Sequence, residues 1–472
     1  MTISHPLKNL VRIALLTLLS ATVLPALAAS LYSNEDIAIV KQAMATAQSS
    51  DLAYDIVASL TTEVGPRPAG SANDARAVAW AKAKLTTLGF ERVWTEPVKV
   101  SAWTRGAAHA DIVSPFPQHL AVVALGNSIS TPPEGITAEV AYFENFDQLK
   151  SDKSDRAKGR IVFIDSSFTR SKEGTHYGRN VGARVTGAVE AGKRGALAVM
   201  IRSIGSDRDR LPHTGTMRYD DKVTPIPAAA VSNPDADLVA RQVRGGKPVR
   251  ISLSMKNETR PSAESHNVLA EIRGGEKPEQ VVAIGGHLDS WDLGTGAIDD
   301  GAGVAITVAA ANILKDSGVR PKRTIRVILF ANEENGLDGA KAYAAVHGKE
   351  KHQLVSESDL GAGNIYKLHT RVTDAGMPWM KEIAEMLAPL GIEAGNNEAS
   401  GGPDMSPMVN DHAAPAASLA QDATDYFDWH HTANDTLDKI DPVKLKQNVA
   451  AWVALVWMAA QAGVDFKQAA KK

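Results

Sequence analysis

The 472-residue chain contains no cysteine. That absence removes a disulfide framework, a thiolate nucleophile and a lipid-bearing thiol from consideration. A charge excess is lacking too: 51 basic residues stand against 54 acidic ones, for a formal net charge of −3. Nucleic-acid binders usually carry a basic excess or a basic stripe, so no nucleic-acid partner is expected. Internal repeats and low-complexity tracts are missing. No uninterrupted apolar run reaches the roughly 20 residues that span a bilayer, so no stable membrane anchor is expected. With 44% hydrophobic and 22% charged residues, the composition is that of a globular chain rather than a disordered one.

The first thirty residues have their own pattern. Lys8 and Arg12 precede an apolar stretch from Ile13 to Leu24, then Pro25 and the small-x-small sequence Ala26-Leu27-Ala28. This reads as a secretory signal peptide, residues 1–28, cleaved near Ala28. An export signal on a cysteine-free chain predicts a secreted or periplasmic protein.

The remaining length calls for two or three folding units. Helical patterns are expected at 34–49, 51–64 and 73–88, with Gly65-Pro66-Arg67-Pro68-Ala69-Gly70 as a breaker between the last two and a strand over 91–100. Residues 112–262 are richer in short strand patterns, with one helix at 181–192, and suggest a smaller α/β module inserted into the first unit. After 265 the alternation becomes regular: strands at 281–284 and 324–330, helices at 301–314 and 336–347, and a further strand from Leu354. Fully apolar strands alternating with helices predict an α/β fold whose mostly parallel central sheet is sandwiched by helices. The expected division is 29–111 with 263–472 as one domain and 112–262 as the insert. Asp441 with Pro442 marks the start of a last, wholly buried helix.

In open α/β sheets, ligands bind at the carboxyl ends of strands. Chemistry-bearing residues collect at those ends. His287 follows Val281-Val282-Ala283-Ile284 and two glycines, and Asp289 lies within reach of its other ring nitrogen. Asp299-Asp300 closes a glycine-rich loop at a helix start; the pair suits helix capping, or a split in which Asp300 caps and Asp299 ligates. Glu333-Glu334 follows the strand ending at Phe330, an arrangement that suits one metal-ligating and one proton-handling glutamate. Glu357-Ser358-Asp359 ends the next strand, and His430-His431 comes late in the chain with Asp435 nearby. Two histidines with three or four carboxylates match the stoichiometry of a two-metal site. Mixed imidazole and carboxylate donors suit zinc, with cobalt or manganese as substitutes.

These segments resemble the co-catalytic di-zinc exopeptidases, a family that includes leucyl aminopeptidases and glutamate carboxypeptidases. The resemblance rests on His287-Leu288-Asp289-Ser290-Trp291-Asp292, Asp299-Asp300-Gly301, Glu333-Glu334, Glu357-Ser358-Asp359 and His430-His431 followed by Asp435-Thr436. Pro321-Lys322-Arg323-Thr324, Pro403-Asp404-Met405-Ser406 and Pro212-His213-Thr214-Gly215 bring it closest to the plasma glutamate carboxypeptidase, or carboxypeptidase Q, group. It implies two zinc ions per chain. His287 and Asp359 would hold one, Glu334 and His431 the other, and Asp299 would bridge them. Glu333 would be the general base, taking a proton from the attacking water and passing it to the leaving amine, with Asp289 supporting the site. The resemblance further implies a peptide substrate, a protease-associated role for 112–262 and a homodimer. Choosing His431 over His430 as ligand rests on the family's spacing alone.

Asp404, Ser406, His430 and His213 are further candidates, for substrate contact. The bland alternatives are a loop-stabilising turn for Asp404 and Ser406, and an ordinary surface histidine for His213. The leading expectation is an exopeptidase acting on dipeptides or peptide ends. Its rivals are a non-catalytic binding ectodomain of the same fold and a single-zinc acyltransferase of the glutaminyl cyclase type.

Overall fold

The computed structural model describes residues 1–2 and 30–467. The expected export signal falls almost wholly outside the described residues. Fourteen strands are described: β1 Arg92–Ser114, β2 Gln118–Leu120, β3 Val122–Ala124, β4 Ile136–Phe143, β5 Ile161–Ile164, β6 Ala198–Arg202, β7 Ala228–Val231, β8 Arg250–Ile272, β9 Lys277–His287, β10 Arg323–Phe330, β11 Lys351–Glu357, β12 Ile365–Arg371, β13 Glu393–Ala394 and β14 Ala416–Gln421. The helices are α1 Asn34–Ser49, α2 Leu52–Glu63, α3 Ala72–Thr87, α4 Phe146–Ser151, α5 Thr175–Gly192, α6 Asn233–Arg244, α7 Ala302–Asp316, α8 Glu333–Gly336, α9 Asp338–His347, α10 Met377–Leu387, α11 Ser406–His412, α12 Tyr426–Trp429 and α13 Pro442–Gln461.

The central sheet runs β13-β12-β14-β11-β9-β10-β8. Its middle pairs, β14 with β11, β11 with β9 and β9 with β10, are parallel. The antiparallel pairings of β8 with β10 and β12 with β14 flank them. Successive residues of β9 enter opposite layers, as strand geometry requires. Val282 and Ile284 pack with α7 and α13, while Val281 and Ala283 pack with Tyr343 of α9 and Met408 of α11. Burial on both faces explains the unbroken apolar strands.

Helix α13 is buried from Asn448 to Gln461, so its polar groups need internal partners. Gln421 donates to Asn448 Oδ1 at 2.8 Å and Gln461 donates to Asp36 Oδ1 at 2.7 Å. Asp441 caps the helix by accepting from the N–H groups of Val443 and Lys444.

Strands β1 and β8 are much longer than the pattern over 91–100 predicts. They pair antiparallel from Arg92 opposite Glu271 to Ser114 opposite Arg250. Bulges interrupt the register, and Gly106 lies so close to Lys256 that a Cβ there would come within 1.9 Å of the carbonyl oxygen. The weak local signal of this alanine- and glycine-containing stretch is overridden by long-range pairing. The expected module edges at 112 and 262 both fall inside this ribbon. Beyond it, β4, β5, β6 and β7 form a parallel array with β3 antiparallel at its edge. That array has apolar clusters on both faces, one centred on Phe163 and Met200 and the other on Phe143 and Ile201.

Candidate active site

Three adjacent parallel strands deliver the first residues. His287 ends β9, Glu333 and Glu334 form the short α8 three residues past β10, and Asp359 lies two residues past β11. Register explains the convergence: Phe330 pairs with His287, and Glu357 with Gly285. Gly286 lets the chain pass close to the next helix, because a Cβ there would lie 2.4 Å from Asp300 Oδ2 and 2.9 Å from the Val304 nitrogen.

Asp299 sits at the centre. Its Oδ1 is 3.1 Å from His287 Nε2, and its Oδ2 is 3.2 Å from His431 Nε2. Asp359 Oδ1 approaches His287 Nε2 at 3.5 Å, and Glu334 Oε2 approaches His431 Nε2 at 3.1 Å. The structure therefore gathers all five expected ligands into two imidazole–carboxylate pairs joined by Asp299. Asp300 takes a different job: Oδ2 accepts the His287 N–H at 3.1 Å and Oδ1 accepts the Gly303 N–H at 3.0 Å, at the start of α7.

Tautomers follow from the outer hydrogen bonds. His287 Nδ1 lies 3.0 Å from the Asp289 carbonyl oxygen, so Nδ1 donates there and Nε2 is the nitrogen turned to the site. This refines the expected role of Asp289. Its main-chain oxygen meets the imidazole, whereas its carboxylate is 3.7 Å away and accepts the Glu333 N–H at 3.1 Å. His431 Nδ1 faces the Thr214 carbonyl at 3.1 Å and Arg184 Nη1 at 3.3 Å. A carbonyl demands a proton on that nitrogen and a guanidinium demands a lone pair. The carbonyl makes Nδ1 a donor, and Nε2 is the nitrogen turned toward Asp299 and Glu334.

His430 stacks on His431 with ring centroids 3.5 Å apart, and its Nε2 is 3.5 Å from Asp299 Oδ2. Glu334 approaches His431 and is not paired with His430 among the described residues, which favours His431 as the donor. Asp404 is buried and its backbone N–H donates to Glu357 Oε2 at 2.7 Å, while its own carboxylate oxygens meet no partner among the described residues. Ser406 opens α11 and donates its N–H to the Pro403 carbonyl. The expectation that His213 contacts substrate is corrected. Its ring is buried, with Nδ1 2.8 Å from the His430 carbonyl oxygen and Nε2 2.5 Å from Asp207 Oδ2, so both nitrogens are committed to the protein.

Two further residues support the site. Arg67, from the breaker before α3, is fully buried and donates to the carbonyls of Leu288, Thr295 and Gly296 at 2.5, 2.8 and 2.9 Å. It clasps the loop joining His287 to Asp299. Asp435 accepts the N–H groups of Ile298 at 2.6 Å and Asp299 at 3.3 Å. Burial, then the nearby Asp299 carboxylate, pushes its carboxyl up to about 7. Nothing in the spacing marks Arg67, while Asp435 was visible as acidic support without an assigned partner.

The electrostatics describe a cation site. Burial, with Asp359 and Glu334 beside it, drives the Glu333 carboxyl well above the usual range. Burial opposes ionisation of Asp299 too, yet His287 and His431 hold it well below that range. Glu334 Oε1 and Asp289 Oδ2 are buried with no hydrogen-bond partner among the described residues. Ligating atoms of His287, Asp299 and Glu334 lie within 4.8 Å of one another. Packing this many carboxylates into a buried space is costly without positive charge, so the donor set fits metal ions.

Comparison with known proteins agrees. The model of peptidase family M28 matches residues 267–456, a stretch that includes all five converging residues. Carboxypeptidase Q from Bos taurus is 39% identical over 415 residues, covering 88% of this chain and 86% of that protein. The chain belongs to peptidase family M28. The human carboxypeptidase Q is 38% identical with the same coverage. The crystal structure of a peptidase M28 precursor from Shewanella amazonensis is 50% identical, superposes with a TM-score of 0.91 and covers 93% of this chain and 99% of its own. An aminopeptidase from Aneurinibacillus, 23% identical with a TM-score of 0.62 over 92% of this chain and 98% of its own, shares the fold. The protein is accordingly a peptidase with a central sheet flanked by helices.

Proposed function

We propose that the site is a di-zinc exopeptidase centre that hydrolyses dipeptides or trims the ends of short peptides. In this reading His287 and Asp359 hold one ion, Glu334 and His431 the other, and Asp299 bridges. The observation that carries it is Asp299 itself, whose two oxygens reach two separate imidazoles at 3.1 and 3.2 Å. A bridging carboxylate between two such pairs is the signature of a two-metal centre, and nitrogen and oxygen donors suit zinc. Such ions polarise the scissile carbonyl and make water a nucleophile near neutral pH.

The chain's own residues do the rest. Glu333 is within the same carboxylate group yet pairs with neither histidine among the described residues, so it is left to move protons. It takes one from the attacking water and delivers it to the leaving amine. Asp289 holds the Glu333 backbone through its carboxylate and fixes the His287 tautomer through its carbonyl. A cavity of about 260 Å³ is lined in part by Ile298 and Leu360, the sequence neighbours of Asp299 and Asp359, together with Tyr426 and Trp429. It is the candidate space for a substrate side chain. The same reading takes residues 112–262, which hold β2–β7 and part of the β1–β8 ribbon, as an inserted protease-associated module, and residues 1–28 as an export signal.

Replacement of Glu333 by Gln tests the reading. Metal content is expected to hold while peptidase turnover falls by about 10²–10⁴. Full activity in that variant rejects Glu333 as the base. Free dipeptides assayed beside N-blocked and C-amidated versions sort the activity: an aminopeptidase or dipeptidase fails on the blocked set, a carboxypeptidase on the amidated set.

A further inference from the structure

His431 has a backbone φ of +63°, the left-handed region that a non-glycine residue occupies at a cost. Such a conformation persists where surrounding contacts over-determine it. Besides Arg184, His430, Trp291, Asp299 and Glu334 around its ring, His431 is held by one short stretch between β6 and β7. The Thr214 N–H donates to the His431 carbonyl at 3.0 Å, and the Thr214 carbonyl faces His431 Nδ1 at 3.1 Å. One residue earlier, His213 Nδ1 lies 2.8 Å from the His430 carbonyl oxygen. Both dihedral freedom and ring orientation of His431 are thus constrained from 213–214.

His213 is itself clamped. Its Nε2 meets Asp207 Oδ2 at 2.5 Å, its N–H donates to Ser203 Oγ at 2.9 Å, and its ring lies against Gly205, where a Cβ would come within 2.1 Å. Asn233 Nδ2, at the start of α6, donates to the Gly205 carbonyl at 3.1 Å. The chain therefore runs from a rigid helix start through Asp207 and His213 to the backbone of the His430–His431 pair. Ser203, Gly205, Asp207, His213 and Asn233 lie outside the 267–456 stretch that matches the peptidase family, whereas His430 and His431 lie inside it.

We propose that His213 is a positioning residue for His431: held by Asp207, it fixes the backbone from which His431 presents Nε2 to one of the two metal positions. This rests on the reading that His431 is a metal ligand. The contact reaches the Glu334–His431 half of the site and no atom of His287 or Asp359, so its loss should be felt on one side.

The test is calorimetric titration of Zn²⁺ into chelator-stripped full-length protein. Wild type is expected to take up two ions. His213→Ala should bind one ion as wild type does and the other about 10- to 100-fold more weakly, the usual scale for outer hydrogen bonds to metal ligands. His213→Asn, which keeps an N–H for the His430 carbonyl, should recover part of the lost affinity. Wild-type affinity at both positions in His213→Ala overturns the proposal. So does equal weakening at both, or failure of both variants to fold, since His213 would then serve the fold at large. Wild type that takes up fewer than two ions ends the underlying two-metal reading instead, a result distinguishable because it appears before any substitution is made.

Discussion

Replacing Arg67 by Met removes the clasp on the loop that spaces His287 from Asp299. The guanidinium is fully buried and gives hydrogen bonds to Leu288, Thr295 and Gly296 at 2.5, 2.8 and 2.9 Å. Hydrogen bonds involving a charged group contribute about 1.5–3 kcal/mol each, so three of them amount to roughly 5–9 kcal/mol. Burial disfavours the charge, which the nearby Asp435 and Asp289 only partly offset, and Met escapes that penalty. The net loss is expected near 3–5 kcal/mol, the range for breaking a buried polar network. Arg67→Lys should lose nearly as much, because one ammonium cannot match a planar fork aimed at three carbonyls. Thermal unfolding together with hydrogen exchange over residues 288–296 checks it. Unchanged exchange in that loop, with a midpoint within about 1 °C of wild type, refutes the clasp.

Three further outcomes are expected. Burial works against a charge on His347, but Glu350 and Glu96 raise it to about 9, above the ordinary 6.5. A raised folded value means the stabilisation is complete below pH 6.5 and is lost as pH climbs through 9, so wild type should weaken over that window and His347→Gln should not, as pH-dependent denaturant midpoints would reveal. Gly286→Ala would place a Cβ 2.4 Å from Asp300 Oδ2 and should sharply lower zinc uptake measured by mass spectrometry; normal uptake contradicts the tight-passage argument. Trp291→Ala empties a buried place among Trp103 and the strands of the second array and should cost about 3–5 kcal/mol, read from denaturant unfolding.

The parts of the fold that read clearly in sequence are those whose cause is local. Val281 to Ile284 is apolar throughout because both faces of β9 are covered, and His287, Glu334 and Asp359 were found because parallel register puts strand ends side by side. Capping residues such as Asp441 announced their helix. What stayed hidden depends on distant partners. The extension of β1 to Ser114 comes from pairing with β8 rather than from its own residues. Helix α6 begins with Ser232, Asn233 and Pro234, which also signal a turn. Arg67 looked like part of a breaker because its partners lie more than two hundred residues away. His213 reads as a candidate substrate contact in the sequence, since spacing cannot tell a histidine open to the cleft from one whose ring nitrogens are both taken. Between His430 and His431, it was the approach of Glu334 Oε2 at 3.1 Å that added a structural ground for the choice.

Asp299 is proposed to bridge two metal ions, and counting bound zinc tests this most directly. Protein purified without chelator should carry two zinc ions per chain, with His431→Ala retaining one and Asp299→Ala retaining neither at full affinity. One ion per chain in wild type would contradict the bridge and favour the single-zinc acyltransferase, and no bound metal would favour a non-catalytic binding domain.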